Sequence, residues 1–433
     1  MTHFQLERAG AEQLDAGDAL APLRHEFLIP PRPDGSPCHY FCGHSLGLAS
    51  RQAVTLVNEE LQSWARQAVD GHFESARPWL SYHERFADGL ALLAGARPQE
   101  VVAMNSLSVN LHLMLISFYR PTRERYKLLI EQNAFSSDRY AAATQIQQRG
   151  FDPATALLEI APRPGETAIR TDDVCELLER EGSSIATVLL PGVQYLSGQC
   201  FDMARLAACA RAQGCQVGFD LAHAIGNMPL SLHDWQADFA VWCSYKYLNG
   251  GPGALGGCFI HERHAHSFDL PRLAGWWGHD KESRFGMPHA FQPLPGAEGW
   301  QISNPPILAA APLLASLDCF SRAGLPRLRD KSIALTGYLE ALLQARLRDS
   351  VTIITPADPA ARGCQLSLRL HRSPAQARRI HATLTQGGYI CDWREPDVIR
   401  VAPVPLYNTF AEVWDLVAAL HRALHAESCM PDP

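Results

Sequence analysis

The sequence predicts an α/β protein: a large domain with a mostly parallel central sheet, followed by a smaller C-terminal α/β domain. Three observations predict it. From about residue 100, short apolar runs alternate with stretches of helical periodicity. After Val351 a second, shorter alternation begins. The chain also has 433 residues, 47% of them hydrophobic, which suffices for two buried cores.

Residues 1–50 are mixed, and Pro30, Pro31, Pro33 and Pro37 break any helix there. Tyr40-Phe41-Cys42-Gly43-His44-Ser45-Leu46-Gly47 reads as a short strand followed by a tight turn. Helical periodicity covers 51–66 and 82–95. Val101–Met104 is a buried strand, followed by an apolar helix from Ser106 to Phe118. A strand at Tyr126–Glu131 with a helix from Ser137 to Arg149 repeats the pattern, as does Ala186–Leu190 with a helix over 202–213. Cys215–Asp220 and Asp238–Cys243 add two strands. Such alternation requires a sheet covered on both faces, with ligands at the carboxyl ends of its strands. Two helices fill 307–345. Strands over 351–355, 363–370, 389–393 and 399–402, with helices over 374–387 and 409–426, make the second alternation. The expected division is an N-terminal segment, 1–70, packing with the small domain, a large domain, 71–320, and a small domain, 321–433.

Composition narrows the function. Net charge is -7, and no block of five like charges occurs. Nucleic acid and an electrostatic membrane patch are therefore not expected partners, and a small molecule is. The N-terminus has no apolar segment of the signal-peptide kind, and no apolar run reaches the roughly 18 residues that span a bilayer. A cytoplasmic chain is expected. Its twelve cysteines are scattered without CxxC or zinc-like pairing, so no metal site and no structural disulfide is expected. In a reducing compartment they act as small buried hydrophobes.

The strongest chemical signal is Lys246. It follows directly on a buried strand and precedes Gly250, Gly251, Gly253, Gly256 and Gly257. Glycines there let backbone approach a ligand closely. A lysine at the lip of a buried strand is costly unless partnered, and a Schiff base with an aldehyde cofactor is one solution. A surface lysine in a flexible loop is the plainer alternative, and its neighbours decide against it. Asp220 ends the strand before Leu-Ala-His223. A carboxylate there can face a cofactor's pyridine nitrogen and keep it protonated, although aspartate at such a turn also serves as a helix cap. Asn105-Ser106-Leu107-Ser108 opens a helix, whose free amides and hydroxyls suit a phosphate. Phe135 stands at another strand's carboxyl end, beside Ser136, Ser137 and Asp138, where it can stack on a flat ring.

These residues sit within longer motifs. Gly218-Phe-Asp-Leu-Ala-His-Ala-Ile-Gly-Asn227, His233-Asp-Trp and Trp242-Cys-Ser-Tyr-Lys-Tyr-Leu-Asn249 resemble the kynureninases. So do Phe41-Cys-Gly-His-Ser-Leu-Gly-Leu48, Asn105–Leu113, Gly275-Trp-Trp-Gly-His279, Ile302-Ser-Asn-Pro-Pro-Ile307 and Ile399-Arg-Val-Ala-Pro-Val-Pro-Leu-Tyr407. The resemblance is colinear from about residue 35 to about 420.

It implies a fold type I enzyme using pyridoxal 5′-phosphate, acting as a homodimer with its site at the subunit interface. Its reaction would be hydrolytic Cβ–Cγ cleavage of kynurenine or 3-hydroxykynurenine in tryptophan degradation. By this resemblance Lys246 is the Schiff-base lysine and the base at the α-carbon, with Tyr245 the second candidate for proton transfer. Asp220 pairs with the pyridinium, and His223 lies close to the ring. Tyr245, Leu107 and Ser108 cradle the phosphate. Phe135 stacks on the ring, with Ser136, Ser137 and Asp138 beside it. Trp276 and Asn304 reach the cofactor, partly from the partner subunit. Arg400 clamps the substrate α-carboxylate, while His72, Ser303 and Asn304 line its aromatic side. Two positions depart from the family pattern. Ser136 stands where proline is frequent, and Pro191 where a hydroxyl residue is common. A cysteine desulfurase would need a nucleophilic cysteine on a mobile loop, which no segment suggests. A non-catalytic binding protein would not need Lys246, Asp220 and Arg400 together.

Overall fold

The structure, a computed structural model, describes residues 4–428. In chain order, helices α1 (Arg8–Ala16) and α2 (Arg51–Gln67) precede the large sheet. Ser50 caps α2, its hydroxyl accepting from the Ala53 N–H. The sheet comprises β1 (Val101–Met104), β2 (Lys127–Glu131), β3 (Leu157–Ile160), β4 (Ile185–Pro191), β5 (Gln216–Asp220), β6 (Phe239–Cys243) and β7 (Gly256–Ile260). The principal helices between them are α3 (Leu107–Phe118), α4 (Ser136–Gln148), α5 (Thr171–Glu181) and α6 (Met203–Ala212), which follow β1, β2, β3 and β4 in turn. Helices α7 (Ile307–Ala323) and α8 (Leu325–Leu347) lead to a second sheet. It holds β8 (Val351–Ile353), β9 (Leu366–Leu370), β10 (Asp392–Arg394) and β11 (Val398–Val401), with α9 (Pro374–Gln386) after β9 and α10 (Phe410–Ser428) last.

The large sheet has the order β1-β7-β6-β5-β4-β2-β3, and β7 alone runs antiparallel to its neighbours. Apart from the edge strand β3, its strands are buried on both faces, which explains their apolar runs. Leu128 and Ile130 pack with α3 and α4 through Leu111, Met114 and Ala142. Leu129, Val188, Val217 and Phe219 face the other way, into a core with Leu206 of α6 and Leu313 of α7. In the antiparallel second sheet, Leu366, Leu368 and Leu370 of β9 pack on Leu339 and Leu343 of α8 and Val413 and Leu420 of α10. Helix α1 lies on α10, and α2 lies along α7. No single described helix is long and apolar enough to cross a membrane.

Three details correct the sequence reading. The glycine cluster after Lys246 is not one loop, because Gly256 and Gly257 open strand β7. A Cβ on Gly257 would lie 2.4 Å from the Trp242 indole on β6, so glycine answers to a cross-strand neighbour there rather than to a ligand. The edge strand β3 is short and only partly buried, and carries no strong apolar run. Finally, Cys175 of α5 and Cys209 of α6 form a disulfide, contrary to the expectation of free thiols. The two helices pack side by side, bringing their Cα atoms to 5.6 Å, although β4 separates them in sequence.

Candidate active site

Adjacent strand ends build the site. A cavity opens there, lined by Leu107 and Ser108 from α3, Glu131 from β2, and Phe135, Ser137 and Asp138 around the start of α4. Pro191, Val193 and Tyr195 line it from the β4 end, Asp220, Ala222 and His223 from the β5 end, and Tyr245 and Lys246 from the chain after β6. Nine residues expected at the cofactor thus meet: Leu107, Ser108, Phe135, Ser137, Asp138, Asp220, His223, Tyr245 and Lys246.

The turn into α3 depends on Asn105, whose φ of 47° is left-handed. Its side-chain amide donates to Asn110 Oδ1, and the Asn110 amide donates back to Met104 O. Ser106, the residue before the helix, makes no side-chain cap. Its first-turn amides are therefore left for another acceptor.

Lys246 rides on a segment docked against the N-terminal loop. The Gly47 N–H donates to Tyr245 O at 2.8 Å, and a Cβ at Gly47 would come within 2.4 Å of Lys246 O, so that contact requires glycine. The Lys246 Nζ lies 3.1 Å from His223 Nε2 and 5.9 Å from the Phe135 ring centre. Burial, then the Lys246 and Arg400 charges, push the His223 imidazole well below its usual range, so it is a neutral acceptor for that amine. The Asp220 Oδ1 accepts from the Ala222 N–H at 2.7 Å, which is the turn-capping contact expected of an aspartate at this position. Burial, then the neighbouring Asp220 carboxylate, push the Asp138 carboxyl well above its usual range. Burial also raises Glu131, to about 7. Desolvation pushes the Tyr245 phenol up, which keeps it a hydrogen-bond donor.

This donor set fits pyridoxal phosphate. Uncapped helix amides and the Ser108 hydroxyl suit an anionic group, the exposed Phe135 face suits a flat ring, and a buried acid pair suits a protonated ring nitrogen. Lys246 is the amine within reach, and the Nδ1 of His223 has no hydrogen-bond partner among the described residues.

The other expected residues lie elsewhere. Ser136 begins α4 beside the cavity without lining it. His72, Trp276, Ser303 and Asn304 line a separate, mostly apolar cleft with Val69, Phe73 and Phe285. There His72 Nδ1 is 3.0 Å from Val69 O, and Trp276 Nε1 donates to Arg284 O. Arg400 is 1% exposed and already engaged: Nε and Nη2 reach Asp392 Oδ2 at 2.7 and 2.6 Å, and Nη1 donates to Tyr195 O at 2.7 Å.

Sequence reasoning missed Glu131, Tyr195 and Asp392. The Tyr195 ring stands edge-on to Phe135 at 5.3 Å, and the Arg394 guanidinium lies 5.7 Å from its centre. Asp392 is paired directly across from Arg400 on β10 and β11. Only knowledge of strand register could have found it.

Comparison with known proteins adds an independent finding. Residues 328–420 match the family model described as kynureninase C-terminal domain. The kynureninase of Koribacter versatilis is 54% identical over 94% of this chain and 95% of its own length. The kynureninase of Myxococcus xanthus is 54% identical over 96% and 97%. Among solved structures, a C-DES variant with glycine covalently linked to its PLP cofactor has a TM-score of 0.76 at 17% identity, covering 92% of this chain and 98% of that one. At that identity the likeness concerns the fold.

Proposed function

Because the chain belongs to the kynureninase family, we propose that it hydrolyses the Cβ–Cγ bond of L-kynurenine or 3-hydroxy-L-kynurenine through the residues described above. The products are L-alanine and anthranilate or 3-hydroxyanthranilate. Pyridoxal 5′-phosphate is the cofactor of such an enzyme. When bound, it supplies an aldehyde that links to amines and an electron sink for the pair released at the amino-acid carbon.

The observation that carries the residue roles is the approach of Lys246 to the neutral His223 in the cavity that also holds Asp220. Lys246 would hold the cofactor, and its amine, when free, would serve as the base that takes the substrate α-proton. His223 accepts a hydrogen bond from its Nζ and keeps that nitrogen aimed at the reacting carbon. Asp220 would pair with the ring nitrogen, with the buried Asp138 carboxyl beside it in the same cavity. The α3 amides and Ser108 would hold the phosphate, and Phe135 would cover one ring face. Tyr245 is the other candidate for proton transfer.

Arg400 receives the substrate α-carboxylate by exchanging part of its engagement with Asp392 and Tyr195. His72, Ser303 and Asn304 contact the aromatic end from the partner subunit, within a homodimer. The exposed apolar side chains of Val69, Phe73, Trp276 and Phe285 favour burying that cleft against a second copy. With polar groups at hand for a ring hydroxyl, 3-hydroxykynurenine is the preferred substrate. The enzyme works in the cytoplasm.

Incubating the purified protein with each substrate separately tests this reading. Alanine and the matching anthranilate are expected from both, faster from 3-hydroxykynurenine. Release of neither product would contradict it.

A further inference from the structure

We propose that Cys175 and Cys209 form a reversible redox brace, opened and closed by exchange with low-molecular-weight thiols and disulfides, that stiffens the chain carrying Pro191, Val193 and Tyr195 to the cavity. The bridge joins α5 to α6 and encloses strand β4 and the loop over 192–202. Three residues of that enclosed stretch line the cavity.

The loop is anchored at several points. Gln194 Oε1 accepts from the Leu196 and Ser197 N–H groups, and the Phe201 N–H donates to Gly192 O. Tyr195 O accepts from Arg400 and from the Gln365 amide, and the Cys200 N–H donates to Ala361 O. The small domain thus grips the loop beside the cavity. Where the loop continues into α6, the sulfur–sulfur bond ties that helix to α5. Closing the bond limits how far the loop can move when substrate or cofactor enters.

Two further observations favour reversibility. Val174, Leu178, Leu206 and Ala210 of the same two helices share one buried core, and Asp172 and Arg205 add an exposed ion pair at 2.5 Å, so the fold does not depend on the sulfur–sulfur bond. Cys175 is buried whereas Cys209 is half-buried, so exchange enters at Cys209. In the oxidising direction the Cys209 thiolate attacks one sulfur of a small disulfide and expels a thiolate. The Cys175 thiolate then displaces the second small thiolate from Cys209. Two protein thiols lose two electrons and two protons, and the small disulfide becomes two thiols. Excess small thiol reverses both steps.

The test equilibrates the holoenzyme with oxidised or with reduced glutathione, then combines peptide mass mapping with hydrogen–deuterium exchange. A linked peptide pair containing Cys175 and Cys209 is expected after oxidised glutathione only, with amides over 192–202 exchanging several-fold more slowly than in the reduced protein. The double variant Cys175→Ser with Cys209→Ser should exchange like the reduced protein in both buffers. Absence of the linked pair after oxidised glutathione would overturn the proposal, as would equal exchange over 192–202 in both forms.

Discussion

The Nζ of Lys246 stands 3.1 Å from Nε2 of His223, and burial together with nearby cations keeps that imidazole neutral. A neutral imidazole can accept from an amine without adding charge to the cavity. Replacing His223 with Phe keeps a flat ring and removes the acceptor. Turnover should fall about 10- to 100-fold while the cofactor's absorbance band persists. Steady-state rates and a spectrum of the same sample check this, and an unchanged kcat would remove His223 from the mechanism.

Glu131 gives the cofactor-free protein a pH signature. Burial raises its carboxyl from the usual 4.5 to about 7. Between those values the folded chain holds a proton that the unfolded chain has lost. Stability is therefore complete below the lower value and declines as pH rises toward 7, by up to about 3 kcal/mol. Asp138, pushed up by burial, acts in the same direction. Glu131→Gln should reduce this slope and leave the share due to Asp138, measured as unfolding midpoint against pH.

Gly257 opposes Trp242 across β7 and β6. An added methyl at 2.4 Å from the indole must shift a fully buried ring. Gly257→Ala should cost about 1–3 kcal/mol of stability, seen as a lower thermal midpoint. Gly253→Ala meets nothing within 4 Å, so it carries only the strain of its φ of 71° and should cost less.

Arg400 is held by one Asp392 oxygen and the Tyr195 carbonyl. Arg400→Lys keeps the charge and loses the bidentate fork. KM for the amino-acid substrate should rise at least about 10-fold, with little change in the cofactor spectrum. A spectrum altered as much as KM would instead assign Arg400 to cofactor binding.

Much of this architecture was legible because its strands are buried on both faces. Runs such as Val101–Met104 and Phe239–Cys243 have no polar interruption, and Asp220 and Lys246 stand out where such runs stop. What stayed hidden depends on neighbours remote in sequence. Strand β7 was concealed because Gly256 and Gly257 answer to Trp242 across the sheet. Asp392 matters only once β10 and β11 are set in register, and Cys175 meets Cys209 only when α5 and α6 pack. Glu131 looked like an ordinary strand terminus, and Tyr195 like an ordinary loop residue, until adjacent strand ends turned both into walls of the cavity.

The identity of the cofactor-bearing residue is open to direct chemical measurement. Borohydride reduction of the holoenzyme, followed by proteolysis and tandem mass spectrometry, fixes any imine as a stable amine on the lysine that carried it. The expected result is a pyridoxyl phosphate adduct on Lys246 and on no other lysine. An adduct elsewhere with Lys246 unmodified would contradict the assignment of the site.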